Sequence, residues 1–228
     1  MSAAPLPKRL ESLLEESRNW QAPPPVETIS SGIPEIDIAT GGLPRGGLTE
    51  IFGPLSSGRM SLLLSILAEA TARGEVCALV DAEDVFDPCS AAAAGVRLDR
   101  LLWVRCQHSA EQALKAADLL VQGGGFGLVA MDLGETSLRA AWRISLASWF
   151  RLRRAVEHTP TALVTVARQS NAGTCASLQL ECMRQRTDWS GVRGVSRLLR
   201  GVETRVASMQ KAAQKSKICL PVFTAAAI

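Results

Sequence analysis

LPRGGLTEIFGPLSSGRMSLLLSIL, residues Leu43–Leu67, decides the fold of this chain. Leu48–Phe52 reads as a short apolar strand, Gly53–Gly58 as a tight loop, and Ser61–Ala72 as an apolar helix. Two glycines five positions apart, Gly53 and Gly58, followed by the cation Arg59, have the spacing of a phosphate-binding loop. Glycines let the backbone turn its N–H groups inward, and the helix that follows aims its positive dipole end at an anion. The candidate nucleotide-binding residues are Gly53, Pro54, Ser56, Ser57, Gly58, Arg59, Met60 and Ser61. The plainer alternative is an ordinary strand-to-helix turn.

Two positions depart from a working loop, which ends Gly-Lys-Ser/Thr so that the lysine reaches the terminal phosphates and the hydroxyl holds Mg²⁺. Here they are Arg59 and Met60. Arginine keeps the charge but is a wide planar fork. A thioether does not hold Mg²⁺, which takes hard oxygen ligands. Ser61 projects about 100° further round the helix. The expectation is a surviving cradle with damaged hydrolytic machinery: ATP is the cofactor it would take, Mg²⁺ is disfavoured, no metal site is expected, and ATPase activity is weak or absent.

Working outward, strands and helices alternate. Glu75–Asp81, Leu101–Arg105, Phe126–Asp132 and Thr161–Ala167 read as strands; Ala91–Ala94, Ser109–Gln122 and Ala140–Glu157 read as helices. In the last of these, Trp142, Leu146, Trp149, Phe150 and Val156 are expected to face inward. Ile33, Ile36 and Ile38 suggest a short buried helix closed by Gly41-Gly42. Leu178–Arg186 and Arg200–Val206 suggest further strands, and Val206–Lys217 a frayed helix. Such alternation implies a mostly parallel α/β sheet with right-handed crossovers. Leu6, Leu10, Leu13 and Leu14 form one stripe of an N-terminal helix, joined to the core by a linker containing Pro23-Pro24-Pro25. That helix either packs back on the domain or docks on a partner. The expected organisation is residues 1–26 as helix and linker, 27–207 as core, and 208–228 as a basic then apolar tail.

At 228 residues and 47% hydrophobic content the chain can bury a sizeable single core. No apolar run of 18 or more residues marks a transmembrane helix, and Glu11, Glu15 and Glu16 sit where a signal peptide would be apolar. The six cysteines, at 77, 89, 106, 175, 182 and 219, form no C-x-x-C pair, which favours a reducing cytoplasm over a zinc site. The net charge of +3 names no partner. Arg184–Lys217 is rich in basic residues, Arg184, Arg186, Arg205 and Lys217 among them. Such a segment can contact DNA phosphates weakly, lie solvated, or dock on an acidic protein.

The order of these motifs resembles the RecA/RadA recombinase core from about Thr28 to about Val206. ISSGIPEIDIATGGLPRGGLTEIFGPLSSGRM resembles the lead-in and phosphate loop, VDAEDVFDP the segment holding the catalytic glutamate, LVAMD the second nucleotide motif, and GVETRV the closing segment. The resemblance implies a RecA-like P-loop NTPase fold, with Glu83 as a vestigial catalytic acid and Asp132 as a nucleotide-site acid. The departures are as informative. Arg168 stands where the γ-phosphate-sensing glutamine is expected, unless Gln169 slips by one, and both DNA-binding loops and a C-terminal DNA-binding domain look absent. A shortened RecA-like chain with a degenerate loop is similar to the ImuA (SulA-like) accessory proteins. That likeness implies a cytoplasmic, non-recombinase role in SOS-type mutagenesis and translesion synthesis, through contacts with RecA and an inactive Y-family polymerase-like partner of the ImuB type. A DNA-dependent ATPase of the recombinase class, or a basic DNA-binding module, is the alternative. An Arg59–Asp132 ion pair in place of Mg²⁺ and phosphate is a further expectation; its loss in Arg59→Ala would cost ~3–5 kcal/mol.

Overall fold

The computed structural model describes residues 27–191, 198–208 and 217–223, the last stretch as backbone only. Thr28–Ile29 (β1) and Leu43–Pro44 (β2) pair antiparallel around a short helix, Pro34–Thr40 (α1). Pro34 suits the first helical turn, where a missing N–H costs nothing, and Gly41, at φ 76°, closes the helix with its N–H on the Asp37 carbonyl. Ile36 is fully buried, but Ile38 is 85% exposed, against expectation. Residues two apart on a helix lie about 200° apart, so one face cannot hold both.

Leu48–Phe52 (β3) is buried along its whole length. The helix Arg59–Ala72 (α2) starts two residues earlier than the sequence suggests, because Gly58, at φ 89°, already turns the chain into it. Cys77–Asp81 (β4) and Pro88–Ala93 (α3) follow, and the Asp87 carboxylate caps α3 by accepting from the Cys89 and Ser90 N–H groups. A 3-10 turn at Leu98–Arg100 leads to Leu101–Arg105 (β5). Ser109 caps Ala110–Gly123 (α4) by accepting from the Gln112 N–H.

After Leu128–Leu133 (β6) the expected helix Ala140–Glu157 is two pieces, Leu138–Ala141 (α5) and Leu146–Val156 (α6). Ser145 adopts an extended conformation and caps α6 by accepting from the Ser148 N–H, which ends the first helical run. The break resets the phase. Trp149, Leu152 and Val156 face inward, whereas Trp142, Leu146 and Phe150 are 68%, 54% and 45% exposed. The expectation that those three face the core is overturned.

Ala162–Ala167 (β7), Leu178–Ser190 (β8), Leu198–Ser208 (β9) and Lys217–Phe223 (β10) complete the chain. One eight-stranded sheet runs β10-β9-β8-β3-β7-β6-β4-β5. The six strands from β8 to β5 are parallel; β9 and β10 add antiparallel at one edge. The expected frayed helix is corrected at both ends, since Val206–Ser208 belongs to β9 and Lys217 opens β10. The apolar stretch from Leu220 thereby pairs, in part, with β9. The expected N-terminal helix and linker lie outside the described residues.

Helices cover both sheet faces, as buried parallel strands require. One core joins Ile36, Ile51, Leu63 and Ile66 with Leu79 and Val164; the other joins Leu48, Val80 and Leu163 with Leu114, Trp149 and Leu152. Among the described residues no helix is long and apolar enough to cross a membrane.

Candidate functional site

Open α/β sheets gather ligands beyond the carboxyl ends of their strands. Here β3, β7 and β6 are neighbours, with Phe52 opposite Ala167 and Ala167 opposite Leu133. The next residues, Gly53, Arg168 and Gly134, therefore leave the sheet together. A cleft of about 340 Å³ opens there, lined by Ser56, Ser57, Gly58, Arg59, Met60 and Ser61, by Glu135, and by Leu199, Gly201, Val202 and Thr204 of β9.

The loop is held by close packing from the β8–β9 hairpin. A Cβ on Gly53 would strike the Cys182 carbonyl oxygen, and one on Gly58 would lie 2.5 Å from Thr204 Oγ1. Both positions need glycine for space, and the φ of 89° at Gly58 adds a conformational reason. Ser56 also holds a left-handed conformation, at φ 57°.

Arg59 is 6% exposed. Its Nη2 donates to the Gly134 carbonyl at 3.3 Å and lies 3.7 Å from Glu135 Oε1. Arg168 reaches the same place: Nε donates to the Gly134 carbonyl at 3.2 Å and Nη2 to Glu135 Oε2 at 3.0 Å. Two guanidiniums thus converge on one half-exposed carboxylate. The expected Arg59–Asp132 ion pair is not formed. Asp132 Oδ1 instead accepts the Gly134 N–H at 2.7 Å, and Glu135 is the acid in contact with Arg59. The turn after β6 turns the Gly134 carbonyl and the Glu135 side chain toward the arginine, and its N–H toward Asp132.

Burial lowers the pKa of Arg59, opposed first by Glu135 and then by Asp132. Burial pushes Asp132 up to about 6, against the Gly134 N–H bond. Arg59 Nη1 and Ser57 Oγ are buried without a hydrogen-bond partner among the described residues.

The structure brings Ser56 to Ser61 together around the cleft and leaves four other candidates outside its lining. Gly53 lies beneath the loop, Pro54 is exposed, and Asp132 is buried. Glu83 Oε2 lies 3.2 Å from His108 Nδ1 at the end of β4. Met60 is partly buried against the apolar core and also lines the cleft, so position 60 offers a thioether and no hydroxyl there. Among the described residues no cluster of His, Cys, Asp and Glu fits a metal ion. Phosphates fit the donor set, with a helix N-terminus, a buried arginine and a buried hydroxyl, while position 60 offers Mg²⁺ a thioether in place of a hard oxygen. Sequence reasoning missed Glu135 and Thr204, although Glu135 follows Asp132 by three residues and Thr204 lies inside GVETRV.

Residues 13–139 match the RecA N-terminal domain. The chain belongs to that family. RecA of Blastochloris viridis is 50% identical over 109 residues, 47% of this chain and 31% of that protein. RecA of Rhodospirillum rubrum is 49% identical over 109 residues, 47% of this chain and 30% of that protein. RecA of Ectopseudomonas oleovorans is 46% identical over the same length. The matched stretch thus spans about 31% of these RecA proteins. The RecA-like match contains the loop, Glu83, Asp132 and Glu135, and it ends before β7, so Arg168 and the β9 wall of the cleft lie beyond it.

Proposed function

We propose that this chain is a non-recombinase, RecA-like accessory protein of the bacterial DNA damage response, similar in role to the ImuA group. It works in the cytoplasm by contact with RecA and an inactive Y-family polymerase-like partner in translesion mutagenesis. Residues 27–207 carry the core, and the Gly53–Ser61 loop takes ATP without turning it over at a catalytic pace, with Asp132 buried outside the cleft lining. Glu83 is a remnant acid. One observation carries this reading: Arg59 and Arg168 both close on Gly134 and Glu135, and Met60 stands beside them without an oxygen ligand. A water-activating centre needs a metal-bridged phosphate and an oriented nucleophile. Here Arg59 and Arg168 pair with Glu135, and the side-chain partner of Glu83 is His108, an arrangement that supports weak or absent turnover.

Magnesium-dependent ATP turnover with single-stranded DNA tests it, with Glu83→Gln as control. Activity no higher than that control is expected. Turnover of 1 per second or more, the ordinary catalytic range, would sink it. Co-purification with RecA from damaged cells, reduced on deleting residues 1–26, is expected in addition. Ser61 also lines the cleft, which favours a second reading, a recombinase-class ATPase using that hydroxyl; under it, Ser61→Ala abolishes turnover.

A further inference from the structure

The cleft combines three features that a bare strand-to-helix turn does not need. Helix α2 begins at Gly58 with no side-chain cap and no acid in its first turn, leaving its N–H groups open to an anion. Arg59 is more than nine-tenths buried and lines the cleft, yet among the described residues Nη1 has no partner, and the buried Ser57 hydroxyl has none either. Buried polar groups are rarely left unpaired, because each costs about 1–3 kcal/mol. Finally, the carboxylate between Arg59 and Arg168 is exposed enough to move: Glu135 is 44% exposed, and its contact to Arg59 is long, at 3.7 Å.

We propose that this cleft is a magnesium-independent phosphate site. Arg59 and Arg168 take the terminal phosphate group directly, and the Glu135 carboxylate is an internal stand-in that the phosphate displaces. Guanidinium forks bind phosphate oxygens in pairs, and two of them supply the charge that Mg²⁺ supplies elsewhere. The free Arg59 Nη1 and Ser57 Oγ become donors to the incoming oxygens. The displaced Glu135 swings to solvent, so occupancy is reported by the position of the segment after β6. The ligand class is a terminal phosphate, whether of a nucleotide or of free orthophosphate. This inference rests on reading Gly53–Ser61 as an anion cradle.

Calorimetric titration of the full chain tests it with three probes, each in EDTA and in excess Mg²⁺: ATP, AMP and orthophosphate. The expected result is ATP binding in EDTA that Mg²⁺ does not tighten. Arg168→Gln should weaken it about tenfold, the scale of one charge-assisted bidentate contact. Glu135→Gln should tighten it several-fold by removing the competitor. Orthophosphate binding with the same response to Glu135→Gln assigns the site to phosphate alone; ATP binding without it assigns the site to the nucleotide. ATP binding seen only with Mg²⁺ overturns the metal independence while leaving the cradle in place. Unchanged affinity in Glu135→Gln, its fold checked by circular dichroism, overturns the stand-in. No binding of any probe by either the natural chain or Glu135→Gln overturns the cradle itself, and the nucleotide part of the proposed function with it.

Discussion

Asp132 illustrates how one residue can be recognised by type and still act unexpectedly. It is 2% exposed at the end of β6, and it caps its own turn through the Gly134 N–H. Its pKa is raised to about 6 by burial, so the folded protein holds this proton at pH values where the unfolded chain has released it. The sign follows. Between about pH 4 and 6 the folded state binds more protons, and stability falls as pH rises through that window. Asp132→Asn keeps an oxygen for the Gly134 N–H and removes the buried charge. It is expected to raise stability at pH 7 by on the order of 2 kcal/mol, with the gain fading by pH 4. Urea unfolding at several pH values checks this; a pH-independent effect would contradict it. The type of Asp132 was readable from LVAMD, but its partner was not. A guanidinium reaches several ångströms, and only the turn after β6 determined that Glu135 meets Arg59.

At the scale of elements, the loop after β7 is held by a residue of another strand. Glu50 is fully buried in β3 and accepts four hydrogen bonds, from Ser170 Oγ, the Asn171 and Ala172 N–H groups, and Gln179 Nε2. A buried carboxylate so saturated is stable only while every donor stays. Glu50→Ala strands those donors and is expected to cost about 3–5 kcal/mol. It should also speed hydrogen exchange at Asn171 and Ala172 more than at the strand amides of β6. The split of the expected long helix has its own test. Trp149 is 1% exposed and Trp142 68% exposed, so Trp149→Ala should lose about 3–5 kcal/mol and Trp142→Ala less than about 0.5 kcal/mol. Equal losses would mean one continuous helix. A tryptophan in a periodic apolar run gives no sign of the Ser145 break, because serine is tolerated inside helices and becomes a cap only when the backbone turns there.

For the whole molecule, the β8–β9–β10 edge completes both the sheet and the cleft. Thr204 sits on Gly58, and Leu199, Gly201 and Val202 wall the loop. A chain ended after Ser190 would expose the β8 edge and open the cleft on one side. It is expected to self-associate, as bare strand edges do, which light scattering would detect; a stable monomer would contradict this. The alternation of strands and helices and the phosphate-type loop were legible in the sequence, because apolar runs separated by helical stretches leave few topologies, whereas the order of the strands in the sheet was not. The parallel α/β class, the glycine loop at Gly53–Gly58 and the thioether at Met60 were determined by sequence alone, since each depends on residue type at a short spacing. The tertiary structure decided which acid faces Arg59, which tryptophan is buried, and that β9 roofs the loop. Those outcomes depend on contacts between residues up to more than a hundred positions apart, where chain spacing carries no information about distance.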